Sequence, residues 1–309
     1  MPGIWIYSED SVVARQLLTA GQELKKTMQQ PVNIITLNDE AVQCLASAGA
    51  DKVFLLKGAN PWPESYAAAI ADMLDKEQAS VMLVGATLRG KDLAAKVAAI
   101  LKAGLVTDAL SIQYANEAIE TMRLMYGGLA VRTEATALPA LVTIPPRTFA
   151  EAADAARCEI TTVEVANEDS RVTISNVCPI VHEGADIVTA NRIVCVGRGL
   201  AKQEDLYRAE QLASAVGAEI GCTRGIAEDY HWLPNERYIG ISGQKVKPEL
   251  YIGMGISGQV QHVVGIRDSK IIVAIDSNEK APIFEAADYG IVGDLYKVVP
   301  LLTAALQKK

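Results

Sequence analysis

A chain of 309 residues that is 50% hydrophobic and 21% charged is long enough for two domains and apolar enough to bury a core in each, which excludes a disordered chain. Its net charge of -8 opposes sequence-independent attachment to nucleic-acid phosphates or to an anionic membrane surface. The five cysteines form no CxxC pair, and the three histidines, His182, His231 and His262, form no HExxH pattern, so neither a metal site nor a disulfide framework is expected, only reduced core thiols.

The first half alternates short apolar runs with helical stretches: a strand at Ile4–Tyr7, a helix at Ser11–Met28, a strand at 32–37, a helix from Glu40, a strand at 53–56, a helix from Glu64 and a strand at Val81–Gly85. Strands this uniformly apolar are buried on both faces, as parallel strands covered by helices are, so the pattern predicts a doubly wound sheet. A helix at 91–101 follows, and then strands at 107–112, 122–126 and Ala140–Ile144 close the first domain. Residues 163–190 are polar and without helical period, and the connection between domains is expected there.

The alternation resumes with strands at 193–196 and 218–222 around a helix at 203–216, then strands at 237–241, Leu250–Met254, 270–275 and Tyr289–Val292, and a helix from Asp294. The expected fold is α/β: two α/β domains in series with largely parallel, doubly wound sheets, 1–186 and 187–309, the second Rossmann-like. Apolar runs such as 81–84 and 271–275 fall far short of the roughly 18 residues a membrane helix needs. The N-terminus MPGIWIYSED lacks the organisation of a secretory signal, and a cytoplasmic protein is expected.

The chemistry-bearing residues gather in the second domain. Gly253, Gly255 and Gly258 spell GxGxxG after the strand ELYI, and a short helix can start at Gln259 with Val260, Val263 and Val264 on one face. Such a turn lets the backbone approach a pyrophosphate, and Asp276, ending the next strand, stands where an acid can bind a ribose hydroxyl. A glycine-rich bend that merely packs a helix on a strand would look the same. Arg198, between Gly197 and Gly199, and the run Cys222-Thr223-Arg224-Gly225 each place a cation just past a strand's carboxyl end, where ligands bind in open α/β sheets. Ser242 and His262 add hydrogen-bonding groups, although His262 could equally be a satisfied core histidine. Cations and donors without a nucleophile–base pair suit an electron-rich ring such as a reduced flavin, and GxSxG, the kinase motifs and GxxxxGK[ST] are all missing.

The run GRGLAKQEDLYRAEQLASAVGAEIGCTRG, followed by YIGISGQKVKPELYIGMGISGQVQHVVGIRDSKIIVAIDSNEKAPIFEAADYGIVGDLYKVVPLL, closely resembles the electron-transfer flavoprotein α subunit, bacterial branch. The first domain agrees through VMLVGATLRGKDLAAKVAAILKAGLVTDAL and MYGGLA, so the resemblance covers nearly the whole chain. It implies one FAD in the second domain, with the first domain as a heterodimer platform. The implied partner is a β subunit carrying AMP or a second flavin. Electrons would pass from a partner dehydrogenase, of acyl-CoA type for instance, to an acceptor such as a quinone reductase.

The family's FAD-binding segments fall on Arg198, Thr223, Arg224, the stretch Ile239, Gly240, Ile241 and Ser242, the stretch Ser257, Gly258, Gln259, Val260, Gln261 and His262, and on Asp276, Asp294 and Leu295. The resemblance places Arg224 near the isoalloxazine, Ser242 near its N5 and His262 on its pyrimidine side. It also marks departures: Asp276 replaces a usual asparagine, Thr223 a usual serine, Val196 a common glycine, and IPPRTF a motif with a single proline. The implied protein is an electron carrier rather than an enzyme. Two alternatives remain open from the residues alone: an NAD-dependent oxidoreductase using GxGxxG, and a non-catalytic nucleotide-binding scaffold.

Overall fold

The computed structural model describes residues 2–166, 169, 171–172, 174–178 and 186–307. The chain divides into two compact units, Met1–Cys178 and Pro179–Lys309. The expected boundary between 186 and 187 adjoins residues 179–185, which, His182 among them, lie outside the described residues.

The first unit contains β1 (Ile4–Tyr7), α1 (Ser11–Met28), β2 (Val32–Thr36), α2 (Val42–Ala46), β3 (Lys52–Lys57), α3 (Ala67–Lys76), β4 (Val81–Gly85), α4 (Leu88–Leu101), β5 (Gly104–Val106), β6 (Ser111–Ala115), β7 (Ala118–Met125), β8 (Ala130–Ala137), β9 (Ala140–Ile144) and β10 (Glu159–Glu164). Seven of these strands form one parallel sheet ordered β10-β3-β2-β1-β4-β9-β5. Every residue of β1, β2, β4 and β9 is buried, as expected of strands covered on both faces. The two-residue side-chain period divides the core: Ile4, Ile6, Val81 and Leu83 pack with α1 and α2, whereas Trp5, Tyr7, Met82 and Val84 pack with α3 and α4. α1 begins where Asp10 accepts hydrogen bonds from the Val12 and Val13 N–H groups, a cap for otherwise unpaired donors.

Two expectations change here. The predicted strand at 107–112 is instead the connection after β5, with Asp108 at a φ of 56°, and only its last two residues begin β6. β6, β7 and β8 form a separate antiparallel sheet, and β10, an unpredicted strand whose last two residues enter the expected connection at 163–190, adds an edge strand beside β3.

The second unit runs β11 (Arg192–Val196), α5 (Leu206–Val216), β12 (Glu219–Cys222), β13 (Leu250–Met254), α6 (Val260–Ile266), β14 (Ile272–Asp276), α7 (Ile283–Ala286), β15 (Tyr289–Val292) and α8 (Leu295–Leu306). Its sheet is parallel and ordered β12-β11-β13-β14-β15. β11 has β12 on one side and β13 on the other, so the winding reverses between β11 and β13 and opens a crevice at their carboxyl ends. Val194, Val196, Ile252 and Met254 pack against α5 and α8; Ile193, Cys195, Tyr251 and Ala274 pack against α6 and α7.

Residues 237–241 do not form the predicted strand. Tyr238 and Ile239 are buried and make only isolated bridges to Cys222 and Gln244, so their apolar character reflects packing rather than a ladder. The buried face of α6 is His262, Gly265 and Ile266, while Val260 is exposed, which corrects the expected valine face. All five cysteines are free, but only Cys195 and Cys222 are buried; Cys158 is half-buried, and Cys44 and Cys178 are exposed, contrary to the expectation of core thiols throughout. No helix among the described residues is long and apolar enough to cross a membrane, and no cluster of potential metal ligands occurs among them.

Candidate functional site

The crevice between β11 and β13 opens into a cleft of about 870 Å³, within the range of small-molecule and cofactor sites. Its floor is backbone against backbone. The Gly197 N–H donates to the Met254 carbonyl at 3.0 Å and the Gly199 N–H to the Gly255 carbonyl at 2.9 Å. A Cβ on Gly197 would meet the Gly255 oxygen at 2.3 Å, and one on Gly199 would meet the Gly255 Cα at 2.5 Å. No other residue type leaves this crest open.

The sheet order then lays charged and polar groups in a row. Thr223 and Arg224 follow β12, Arg198 follows β11, Ser257 follows β13, Asp276 ends β14, and Asp294 follows β15. One side of the crest therefore carries both arginines, with Glu228 and Asp229 beside Arg224, and the other carries Asp276 and Asp294. Arg224 caps a single π-helical turn, Gly225–Asp229, and its guanidinium pairs with Glu228 at 2.5 Å, which holds its pKa above the ordinary arginine value. Such irregular turns concentrate at functional sites. Arg198 lays its aliphatic stem against Gly225, where a Cβ would come within 2.9 Å of Arg198 Cδ.

Of the residues expected from the sequence, Arg198, Thr223, Arg224, Ile239, Ile241, Ser242, Ser257, Gly258, Gln259, Gln261, His262, Asp276, Asp294 and Leu295 all line this cleft. Gly240 and Val260 do not. Gly240 lies behind the wall, where Gly265 packs so closely that a Cβ on it would meet the Gly240 nitrogen at 2.7 Å. Asp276 and Asp294 also have local duties: Oδ1 of Asp276 accepts from the Asn278 N–H at 2.8 Å, and Asp294 caps α8 through the Tyr296 N–H at 2.9 Å. The Ser242 and Tyr238 hydroxyls are 3.0 Å apart.

His262 is 7% exposed, and burial pushes its pKa down to about 4, so at neutral pH it is an uncharged imidazole. Its Nδ1 lies 3.0 Å from the Ile239 carbonyl and its Nε2 2.7 Å from the Tyr251 hydroxyl. The cleft's positive charge thus comes from its arginines.

Sequence reasoning missed Asp229, Tyr238, Ser277 and Tyr296 among the lining residues. The Tyr296 hydroxyl donates to Asp205 at 2.7 Å and accepts from the Ala201 N–H at 2.8 Å, tying α8 to the loop after β11. No sequence spacing marks that contact.

FAD fits these residues on three structural counts: the side-chain-free crest of Gly197, Gly199 and Gly255, the arginine side suited to an electron-rich ring, and the carboxylate side suited to ribose hydroxyls. Comparison with known proteins agrees. Residues 186–267 match the profile of the electron transfer flavoprotein FAD-binding domain, and residues 5–168 match that of the electron transfer flavoprotein domain. The chain is 39% identical to protein FixB of Escherichia coli (strain 55989 / EAEC) over 312 residues, covering 99% of this chain and 98% of FixB. It is equally 39% identical to protein FixB of Shigella dysenteriae serotype 1 (strain Sd197), with the same coverage of both chains. With both domain profiles matched and full-length relatives at this identity, the chain belongs to the electron transfer flavoprotein family as an α subunit, an FAD-binding electron carrier rather than an enzyme.

Proposed function

We propose that the second domain, 187–309, holds FAD along the crest of its sheet while the first, 1–186, serves as platform for a β subunit, in a cytoplasmic complex. The supporting observation is the ordered row itself: arginines from β12 and β11, bare backbone at the β11–β13 reversal, and carboxylates from β14 and β15. When bound, FAD supplies reversible acceptance and release of electrons. Arg224, with Ser242, faces the ring end, where a fixed cation and a hydroxyl favour an electron-rich ring. Arg198 and Thr223 reach the middle of the cofactor, Asp276 and Asp294 its ribose end, and Leu295 packs beside them. The segments 239–242 and 257–262 form the wall that orients it and keeps water away.

Alpha subunits of this family pair with a β subunit. The β subunit here carries AMP or a second flavin, a partner dehydrogenase, for instance one acting on acyl-CoA, donates electrons, and a quinone reductase or similar acceptor receives them. The test is to co-express the chain with candidate β subunits, record the visible spectrum, and release and identify the cofactor. Released FAD and a flavin spectrum support the reading. A colourless complex from FAD-replete cells, taking up no added FAD but binding NADH, overturns it in favour of a dehydrogenase.

A further inference from the structure

Tyr251 lies inside β13, fully buried, among Ile193, Cys195, Ile272 and Ala274. A phenol in so apolar a place needs a partner for its hydroxyl, because an unpaired buried donor is costly. It has one in His262 Nε2, at 2.7 Å. The other ring nitrogen, Nδ1, is 3.0 Å from the Ile239 carbonyl. A carbonyl only accepts, so Nδ1 carries the hydrogen; in a neutral ring Nε2 then offers a lone pair, and the Tyr251 hydroxyl donates to it.

The cleft wall hangs on this pair. Ile239 belongs to the turn carrying Ile241 and Ser242, whose Ile241 N–H donates to the Gln261 carbonyl at 2.9 Å. Further along, the Val246 N–H donates to the Gly265 carbonyl at 2.9 Å. Both acceptors are on α6, the helix that carries His262. The turn is thus fastened to α6, and α6 is fastened to the sheet by a side-chain hydrogen bond from Tyr251.

We propose that Tyr251 is a positioning residue of the FAD site: it holds His262 in the Nδ1–H tautomer and, through it, sets the 239–242 wall. This rests on the FAD reading above. Tyr251 itself does not line the cleft and acts through His262.

The test uses the full chain labelled with 15N-histidine, free of cofactor, at pH 7. Long-range 1H–15N spectra, with His262→Gln assigning the signal, are expected to show Nδ1 protonated and Nε2 bare. Tyr251→Phe keeps the ring and removes the hydroxyl; it is expected to shift the His262 Nε2 resonance and to weaken FAD binding about tenfold, one buried hydrogen bond's worth. The double variant Tyr251→Phe/His262→Gln is expected to bind FAD no worse than His262→Gln alone, since the two act as one unit. An Nε2–H tautomer or an imidazolium in the wild type overturns the proposal, as does undiminished FAD affinity in Tyr251→Phe or fully additive losses. Should Tyr251→Phe not fold, the wild-type spectrum decides alone. A wild-type chain that takes up no FAD would overturn the cofactor reading instead, while the tautomer spectrum still judges the hydrogen bond.

Discussion

Substituting Gly255 by alanine tests whether the crest works by backbone contact. Gly255 has φ of +60°, a left-handed conformation that costs an L-residue roughly 1–2 kcal/mol. The added Cβ would also meet the Gly199 Cα at 2.6 Å and the Leu295 Cδ2 at 3.0 Å. Carbon atoms pack at about 3.5–4.0 Å, and a backbone atom cannot swing aside as a side-chain tip can, so overpacking adds roughly 1–3 kcal/mol. The total is about 2–5 kcal/mol of lost stability. Relief requires the 197–199 loop to lift off β13, which distorts the cleft floor and should weaken FAD binding at least about tenfold. Gly217, at the end of α5, is the control: its φ is +61°, yet a Cβ there would meet only Arg192 Nη1 at 3.9 Å. Gly217→Ala should cost about 1–2 kcal/mol and leave FAD affinity alone. Urea unfolding and fluorescence titration with FAD measure both quantities. If Gly255→Ala matches Gly217→Ala within about 0.5 kcal/mol and binds FAD equally well, the close backbone approach is not what shapes the site.

Three further outcomes follow. The His262 pKa is about 4 in the folded chain against an ordinary 6.5, so the unfolded chain binds the extra proton; stability is full above about pH 6.5 and falls as pH drops toward 4, by up to about 3 kcal/mol. Urea midpoints at pH 7 and pH 5 should therefore move closer together in His262→Gln than in the wild type; equal separation in both chains would refute the assignment. Asp276→Asn keeps the Oδ1 that accepts from the Asn278 N–H and should leave stability within about 0.5 kcal/mol of the wild type, whereas Asp276→Ala should cost about 1 kcal/mol by thermal unfolding. Asp10→Ala removes the acceptor for the Val12 and Val13 N–H groups and should lower the stability of the first unit by about 1 kcal/mol in a urea titration.

Much of this architecture was legible in the sequence, for a physical reason. Parallel strands buried on both faces, such as β1, β2, β4 and β9, must be continuously apolar, and that is the easiest strand signal to read. Edge strands escape the rule. β10 reads EITTVE because only one of its sides is paired, and it carries no apolar run that marks a strand; β8 is mostly exposed and carries none either. At 237–241 the error runs the other way, since Tyr238 and Ile239 are apolar and buried because they wall a cleft, not because they join a ladder. On the crest, glycine, cation and hydroxyl must follow strand ends directly, so Gly197-Arg198-Gly199 and Thr223-Arg224 announced themselves.

The supports behind the crest are harder to see, because each one joins residues far apart in the chain through a group that only folding reveals. Tyr296 bonds Asp205 and the Ala201 N–H, and nothing in the local pattern of α8 asks for either. Tyr251 did leave a trace: a hydroxyl in the middle of the apolar run LYIGM cannot stay unpaired once that strand is central and covered. His262, eleven positions on, is polar at a site where α6 must be apolar to pack. Taken separately, each reads as a blemish in an amphipathic pattern, and the sequence alone points to Val260, Val263 and Val264 as the helix face. Taken together they satisfy one another at 2.7 Å, and that pairing explains why a tyrosine and a histidine, rather than two aliphatic residues, occupy the interface between the sheet and the wall of the FAD cleft.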